Sequence, residues 1–200
     1  MPVFLFSLFL LLFTSIIGTN HVDTANTMAK RTWLQDQVDM ALFHASIVPV
    51  DDGLTEGLVE IRLDEARQRY YERLQQNGGL TQPSPSSPIV NSGEKSVTMN
   101  PVAMQVLFIS AEEARSSWDI IMRFTGTSWQ EVSRIDKGTG GELVLRIITK
   151  SGKTLMLPPK YIQGPSLVAV AYADEPPLNP YAGESEIPIV SVQSIYEGSR

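Results

Sequence analysis

The hydrophobic positions of this chain change their rhythm along its length. Near the start they are almost continuous: Val3, Phe4, Leu5, Phe6, Leu8, Phe9, Leu10, Leu11, Leu12, Phe13, Ile16 and Ile17 are broken only by Ser7, Thr14 and Ser15, and no Asp, Glu, Lys or Arg occurs before Asp23. At 1.5 Å per residue, a helix over 2–19 is about 27 Å long, enough to cross the hydrocarbon core of a bilayer. Further on the apolar residues become periodic. Leu34, Val38, Ala41, Leu42 and Ala45 recur at i, i+4, i+7, i+8 and i+11, which is one packing face of a helix. Neither Gly nor Pro occurs from Asn20 to Ser46, so the pattern predicts one helix from about residue 3 to 47, stopped ahead of Pro49. The alternative is a break at Gly18-Thr19-Asn20 that leaves two shorter helices.

Beyond Pro49 the pattern shortens. Val50-Asp51-Asp52-Gly53 reads as a turn, and Leu58 to Leu63 alternates apolar and polar residues as an extended segment does. Asp64 is expected to cap a second helix, with Ala66, Tyr70 and Leu74 on one face and Asn77-Gly78-Gly79 ending it. Residues 81–93 (TQPSPSSPIVNSG) carry no periodicity and read as a linker between a helical and a β-rich unit. Strands are expected at Ala103–Ile109, Leu143–Thr149, Thr154–Leu157, Ser166–Ala173 and Ile187–Tyr196, with Pro188 at a strand start or edge. Lys150-Ser151-Gly152-Lys153 is a hairpin turn and Lys137–Gly141 a hairpin loop, while Ala111–Arg115 opens a short helix reaching Trp118 or beyond.

The predicted class is therefore α+β: a long N-terminal transmembrane-plus-amphipathic helix, a second short helix, and a small, mainly antiparallel sheet that the long helix covers on one face. The expected divisions are a span at 1–19, its amphipathic extension at 20–48, a turn, strand and helix at 49–80, the linker at 81–93 and the β-rich domain at 94–200.

A cleaved secretory signal competes with a retained anchor for the first segment. The anchor is favoured because no Lys or Arg precedes the apolar block, which is longer than an ordinary signal core, and no small-x-small triplet closes it. Lys30 and Arg31 alone pull the C-terminal side inwards under the positive-inside rule. A one-residue flank before a long polar body is nevertheless the geometry of an exported domain, so the body is expected outside the cytoplasm. Secretion after signal cleavage is the alternative. With no cysteine there is neither a lipid-modified anchor nor a disulfide framework.

Charge and motifs narrow the chemistry further. A net charge of −6 and a pI near 4.9 argue against nucleic-acid binding. His21 and His44 are the only histidines, so no zinc spacing and no serine-hydrolase context arises. Glu112, Glu113 and Asp119 read as solvated acids rather than a catalytic pair, and the glycines of 137–141 lack the Lys-Ser/Thr and following helix of a phosphate loop. Asp174, Glu175, Glu184 and Glu186 do not match a calcium loop and are expected to face solvent. No catalytic, metal-binding or cofactor-binding residue is predicted, and the chain is expected not to be an enzyme.

The order of parts resembles that of TadE-like and other pseudopilin-type membrane proteins of type IV and tight-adherence (Flp) pili. The likeness is carried by the apolar span 3–19, the extension from Trp33-Leu34 through Asp39-Met40-Ala41-Leu42, the Asp51-Asp52-Gly53-Leu54 turn, Val59-Glu60-Ile61 leading into the Asp64 helix, and the late GPSLVAVAYADEPP segment. It implies a structural or accessory role in a pilus- or secretion-type assembly. The expected partners are the membrane, other membrane proteins of that assembly, and homo- or hetero-oligomeric neighbours through the N-terminal helix. The chain departs from a prepilin in having no short basic leader and no Glu near the start of the apolar run, which favours a minor component over a processed major pilin. An envelope module that binds a solute or surface polymer is the competing expectation.

Overall fold

In a computed structural model describing residues 2–48, 62–177 and 183–197, helix α1 runs unbroken over Pro2–Ser46. That is about 67 Å of helix. Gly18 lies inside it with open space around its Cα, and the chain does not break there. The apolar residues from Val3 to Ile17 are 41–76% exposed and touch no other element among the described residues, whereas Leu34, Val38, Ala41, Leu42 and Ala45 are completely buried. The hydroxyls of Ser7, Thr14 and Thr19 donate to the carbonyls of Val3, Leu10 and Ser15 at 2.9, 2.9 and 3.1 Å. The first half of α1 therefore satisfies these hydroxyls internally, as an apolar medium requires.

Helix α2 spans Leu63–Gly78 and buries Ala66, Tyr70 and Leu74. The expected Asp64 cap is not formed: Arg62 occupies the cap position without a side-chain capping bond, its guanidinium donating instead to Glu65 Oε1 at 2.9 Å, and Asp64 sits with Glu65 in the first turn, where carboxylates favour the helix dipole. Gly79 ends α2 at φ 63°, with its N–H donating to the Gln75 carbonyl at 3.1 Å. The turn expected at 50–53 lies outside the described residues, as does most of the segment expected to be extended at 58–63.

The strands are β1 (Ile47–Val48), β2 (Leu80–Thr81), β3 (Ile89–Ser92), β4 (Val102–Ile109), β5 (Ser116–Phe124), β6 (Trp129–Thr139), β7 (Glu142–Ile148), β8 (Thr154–Met156), β9 (Lys160–Tyr161), β10 (Ser166–Glu175), β11 (Ser185–Ser194) and β12 (Tyr196–Glu197). The first sheet has the order β11-β10-β4-β3-β2 with every pair antiparallel. A second sheet has the order β6-β5-β7-β8, with β9 also on β7, and β5 and β7 run parallel. Strands β1 and β12 form a short parallel pair that ties the end of α1 to the end of β11.

The first sheet is the middle layer of three. On one face Val102, Met104, Val106, Leu167, Ala169, Ala171, Ala173, Ile187 and Ile189 pack against α1 and α2. On the other, Ile109, Val168, Val170 and Val190 pack against Ile120, Met122, Leu143, Leu145 and Ile147 of the second sheet. Strand β10 is thus covered on both faces, which is why its sequence reads as a nearly continuous apolar run. Beyond Leu167 its helix-facing side carries Ala169, Ala171 and Ala173, and these small side chains leave room for α1 to lie close.

The second sheet departs from the expectation of one small sheet. The segment expected to be helical from Ala111 forms only a 3-10 turn at Glu113–Arg115, and Ser116 already begins β5. Trp118 Nε1 donates to the Glu113 carbonyl at 2.7 Å, closing that turn against the strand. Lys137–Gly141 is not a hairpin loop either. Strands β6 and β7 pair with opposite edges of β5, so Gly140-Gly141 carries the chain across the end of β5. Gly141 has φ 67°, and a Cβ there would stand 2.5 Å from the Ile162 carbonyl oxygen. Only glycine fits a crossing this tight. Within 81–93, the residues Ile89–Ser92 are a strand of the first sheet, and the Pro/Ser segment before them loops out and returns.

Candidate functional site

The helix and the sheet meet at a buried ion pair. Lys30 lies four residues before Leu34 on the same stripe of α1, so the helical repeat aims its side chain into the domain rather than into solvent. Its Nζ meets Glu175 Oε2 at 2.5 Å, with side-chain exposures of 6% and 2%. Glu175 also accepts hydrogen bonds from the backbone N–H groups of Met99 and Asn100 at 3.0 and 3.3 Å. Buried charges persist only when paired and fully hydrogen-bonded, and this carboxylate has three donors from two distant segments of the chain. The pair sets the axial position of α1 against β10, eleven residues beyond the end of the expected span at Thr19.

Glu175 was expected on a solvated acidic surface and is instead buried, because β10 delivers it to the α1 face of the sheet. Its neighbours are also partnered. Asp174 is ion-paired with Lys150, and Glu186 with Lys153 at 2.7 Å. The hairpin turn at 150–153 thus places its two lysines against the acidic end of β10 and β11. Lys150 has its pKa raised, chiefly by the hydrogen bond to Asp174. The Tyr172 hydroxyl donates to Glu186 Oε1 at 3.3 Å, and its pKa is raised by burial and then by the Glu186 charge.

Two more of the acids read as solvated, Glu113 and Asp119, are likewise held by cations. Glu113 pairs with Arg134 at 2.7 Å and accepts the Ser110 N–H at 2.8 Å, while Asp119 pairs with Arg146 at 2.9 Å. Arg134 also lies over the Trp118 ring, 5.9 Å from its centroid. These carboxylates serve separate pairs. His21 and His44 are both exposed, and among the described residues no group of three or more His, Asp or Glu is placed to hold a metal.

The candidate site is therefore the long helix itself, in two parts: an apolar segment left exposed among the described residues and a stripe locked to the domain. The second half carries Leu34, Val38, Ala41, Leu42 and Ala45 into the core shared with α2 and the first sheet. Val3–Ser46 contains an 18-residue window of mean hydropathy 2.0, none of it buried, so this helix is long and apolar enough to span a membrane. The Lys30–Glu175 pair escaped the sequence reading, although a charged residue extending an apolar stripe by one turn is the signal that points to it. The chain has no significant match among family models, curated proteins or solved structures.

Proposed function

We propose that this chain is a single-pass, membrane-anchored structural component of an envelope assembly, of the accessory kind found in TadE-like and pseudopilin-type systems, with its domain outside the cytoplasm. The supporting observation is that one uninterrupted helix serves as both an exposed apolar segment and a core element of the domain. A cleavable or passive tether needs no such continuity. A component that positions neighbours does, because lateral packing of its span must set the orientation of its domain. The Lys30–Glu175 pair adds to this by resisting axial sliding of the helix. With small hydroxyl-bearing residues scattered among large apolar ones, the span offers packing surface to other membrane helices.

The absence of cysteine from the chain makes the test direct, since each introduced cysteine is unique. Single substitutions such as Leu8→Cys, Leu11→Cys and Leu12→Cys, expressed in the native membrane and oxidised, are expected to cross-link to a copy or to a partner span with helical periodicity. The chain should be recovered from the membrane fraction with its apolar segment intact. Recovery from the medium without that segment would defeat the anchor. An intact, membrane-bound chain that cross-links to nothing at any position would defeat the assembly role.

A further inference from the structure

A groove on the domain lies away from the apolar half of α1. It runs between α2 and the Pro/Ser loop that precedes β3, with a volume of 660 Å³, well within the size range of ligand sites. It continues into a hollow of 210 Å³ bounded by the same loop and by β4. Both parts share Arg67, Tyr71, Gln82 and Pro85, so they form one open-ended trench rather than an enclosed cavity.

The wall of this trench is set by local chemistry. The Gln82 side-chain amide donates to the carbonyls of Pro85 and Ser87 at 3.3 and 2.6 Å, folding the loop back on itself. Proline at 83, 85 and 88 stiffens the same segment. On the opposite side, Tyr71 is held edge-on against Tyr70 with ring centroids 5.2 Å apart. Its hydroxyl has no hydrogen-bond partner among the described residues, and neither do the side-chain carboxamides of Gln75 and Gln105. Of the charged groups in the lining, Arg67 stands 3.8 Å from Asp64, while Glu72 accepts from the neutral Gln68 carboxamide at 2.8 Å and leaves the wall with a net negative charge.

We infer that this trench binds a neutral glycan chain. Carboxamides and a phenol each donate and accept hydrogen bonds, as sugar hydroxyls and N-acetyl groups do, and the ring of Tyr71 supplies an apolar face for a sugar ring. The residual negative charge of the wall selects against phosphate-bearing or acidic ligands. An open-ended trench accepts an internal stretch of polymer, where a closed pocket accepts only a small solute. Proline-rich peptides dock between several aromatic rings, and Tyr71 is the one aromatic residue among the described residues lining the trench.

Height above the bilayer also separates the candidate ligands. Helix α2 lies beside the far part of α1, with Gly78 against Gln37 and Arg69 donating to the Ile47 carbonyl. Those positions lie about 27–42 Å beyond Thr19 along the helix, out of reach of lipid headgroups. Only this height argument rests on the membrane-anchored reading; the lining chemistry stands without it.

The test is a titration of the full chain in detergent micelles with chitotetraose, maltotetraose and a proline-rich decapeptide, read by calorimetry and by NMR of the glutamine side-chain amides. Saturable binding of at least one tetrasaccharide is expected, with Gln75→Ala and Gln105→Ala each weakening it about fivefold, the worth of one hydrogen bond. Tyr71→Phe keeps the ring and its packing and is expected to weaken binding less. No saturable binding of either sugar at millimolar concentration, tighter binding of the peptide, or affinity unchanged in both glutamine variants would overturn the inference. Fractionation of the same chain between membrane and medium reads the anchor separately, so a glycan-binding protein found in the medium would lose the anchor and keep the trench.

Discussion

The two halves of α1 share one backbone geometry and part company in everything else. Residues 3–17 present mostly large apolar side chains all round, and among the described residues none meets another element. Residues 30–46 bury one stripe and leave the opposite face to water. A hydrophobic surface all round asks for an apolar medium, whereas a stripe asks for a specific protein partner. The lesson is that helix continuity says nothing about what a helix packs against. The width of its apolar surface does.

Breaking the ion pair should separate the halves most sharply. Glu175→Ala leaves Lys30 buried without a counter-charge and is expected to cost about 3–5 kcal/mol of domain stability. The double variant Lys30→Met with Glu175→Met should recover most of that loss in chemical denaturation. A double variant as unstable as the single one would show that the position needs the charges themselves.

Core truncation comes next. Leu42→Ala is expected to destabilise the domain by about 2–5 kcal/mol, while Leu10→Ala in the exposed half should leave its denaturation midpoint unchanged. Conversely, Leu10→Lys should impair membrane insertion by about 3 kcal/mol and leave the folded domain unaffected, as read by fractionation beside near-ultraviolet circular dichroism. Equal effects of Leu42→Ala and Leu10→Ala on domain stability would erase the distinction between the two halves. Filling the alanine surface that admits α1 should matter less: Ala171→Leu is expected to cost about 1–3 kcal/mol through overpacking.

The last effect is absent at neutral pH and appears only in alkali. Burial holds the Tyr71 pKa up at about 12 and likewise raises that of Tyr70 well above its ordinary value. The folded state keeps these phenols protonated where the unfolded chain ionises, so their contribution is fully present below pH 10. It is lost as pH rises from 10 towards 12, at about 1 kcal/mol per group for each pH unit. Tyr71→Phe should flatten the alkaline limb of the stability profile, and an unchanged limb would place the sensitivity elsewhere.

The two sheets were legible to different degrees. Strand β10 announces itself as an apolar run because both its faces are covered, and β7 alternates cleanly because one face is buried. Strand β6 has no such signature. It is an edge strand with most of its residues exposed, so Trp129–Thr139 offers no period to read. In β5 the preceding Ala-Glu-Glu-Ala favours a helical start, and long-range pairing with β6 and β7 overrides that preference.

What the sequence alone determined lies in short-range pattern: the apolar segment, the unbroken helix through residue 46, the buried stripe and the α+β class. Each follows from side-chain periodicity within a few turns, which a helix cannot disguise. Tertiary structure alone decided that Lys30 meets Glu175, that Lys150 and Lys153 face the acidic end of β10 and β11, and that a second sheet covers the first. Those outcomes depend on partners up to 145 residues apart. A charged side chain carries no mark of whether its counter-charge will be water or a distant carboxylate. Only the folding of β10 against α1 supplies that answer.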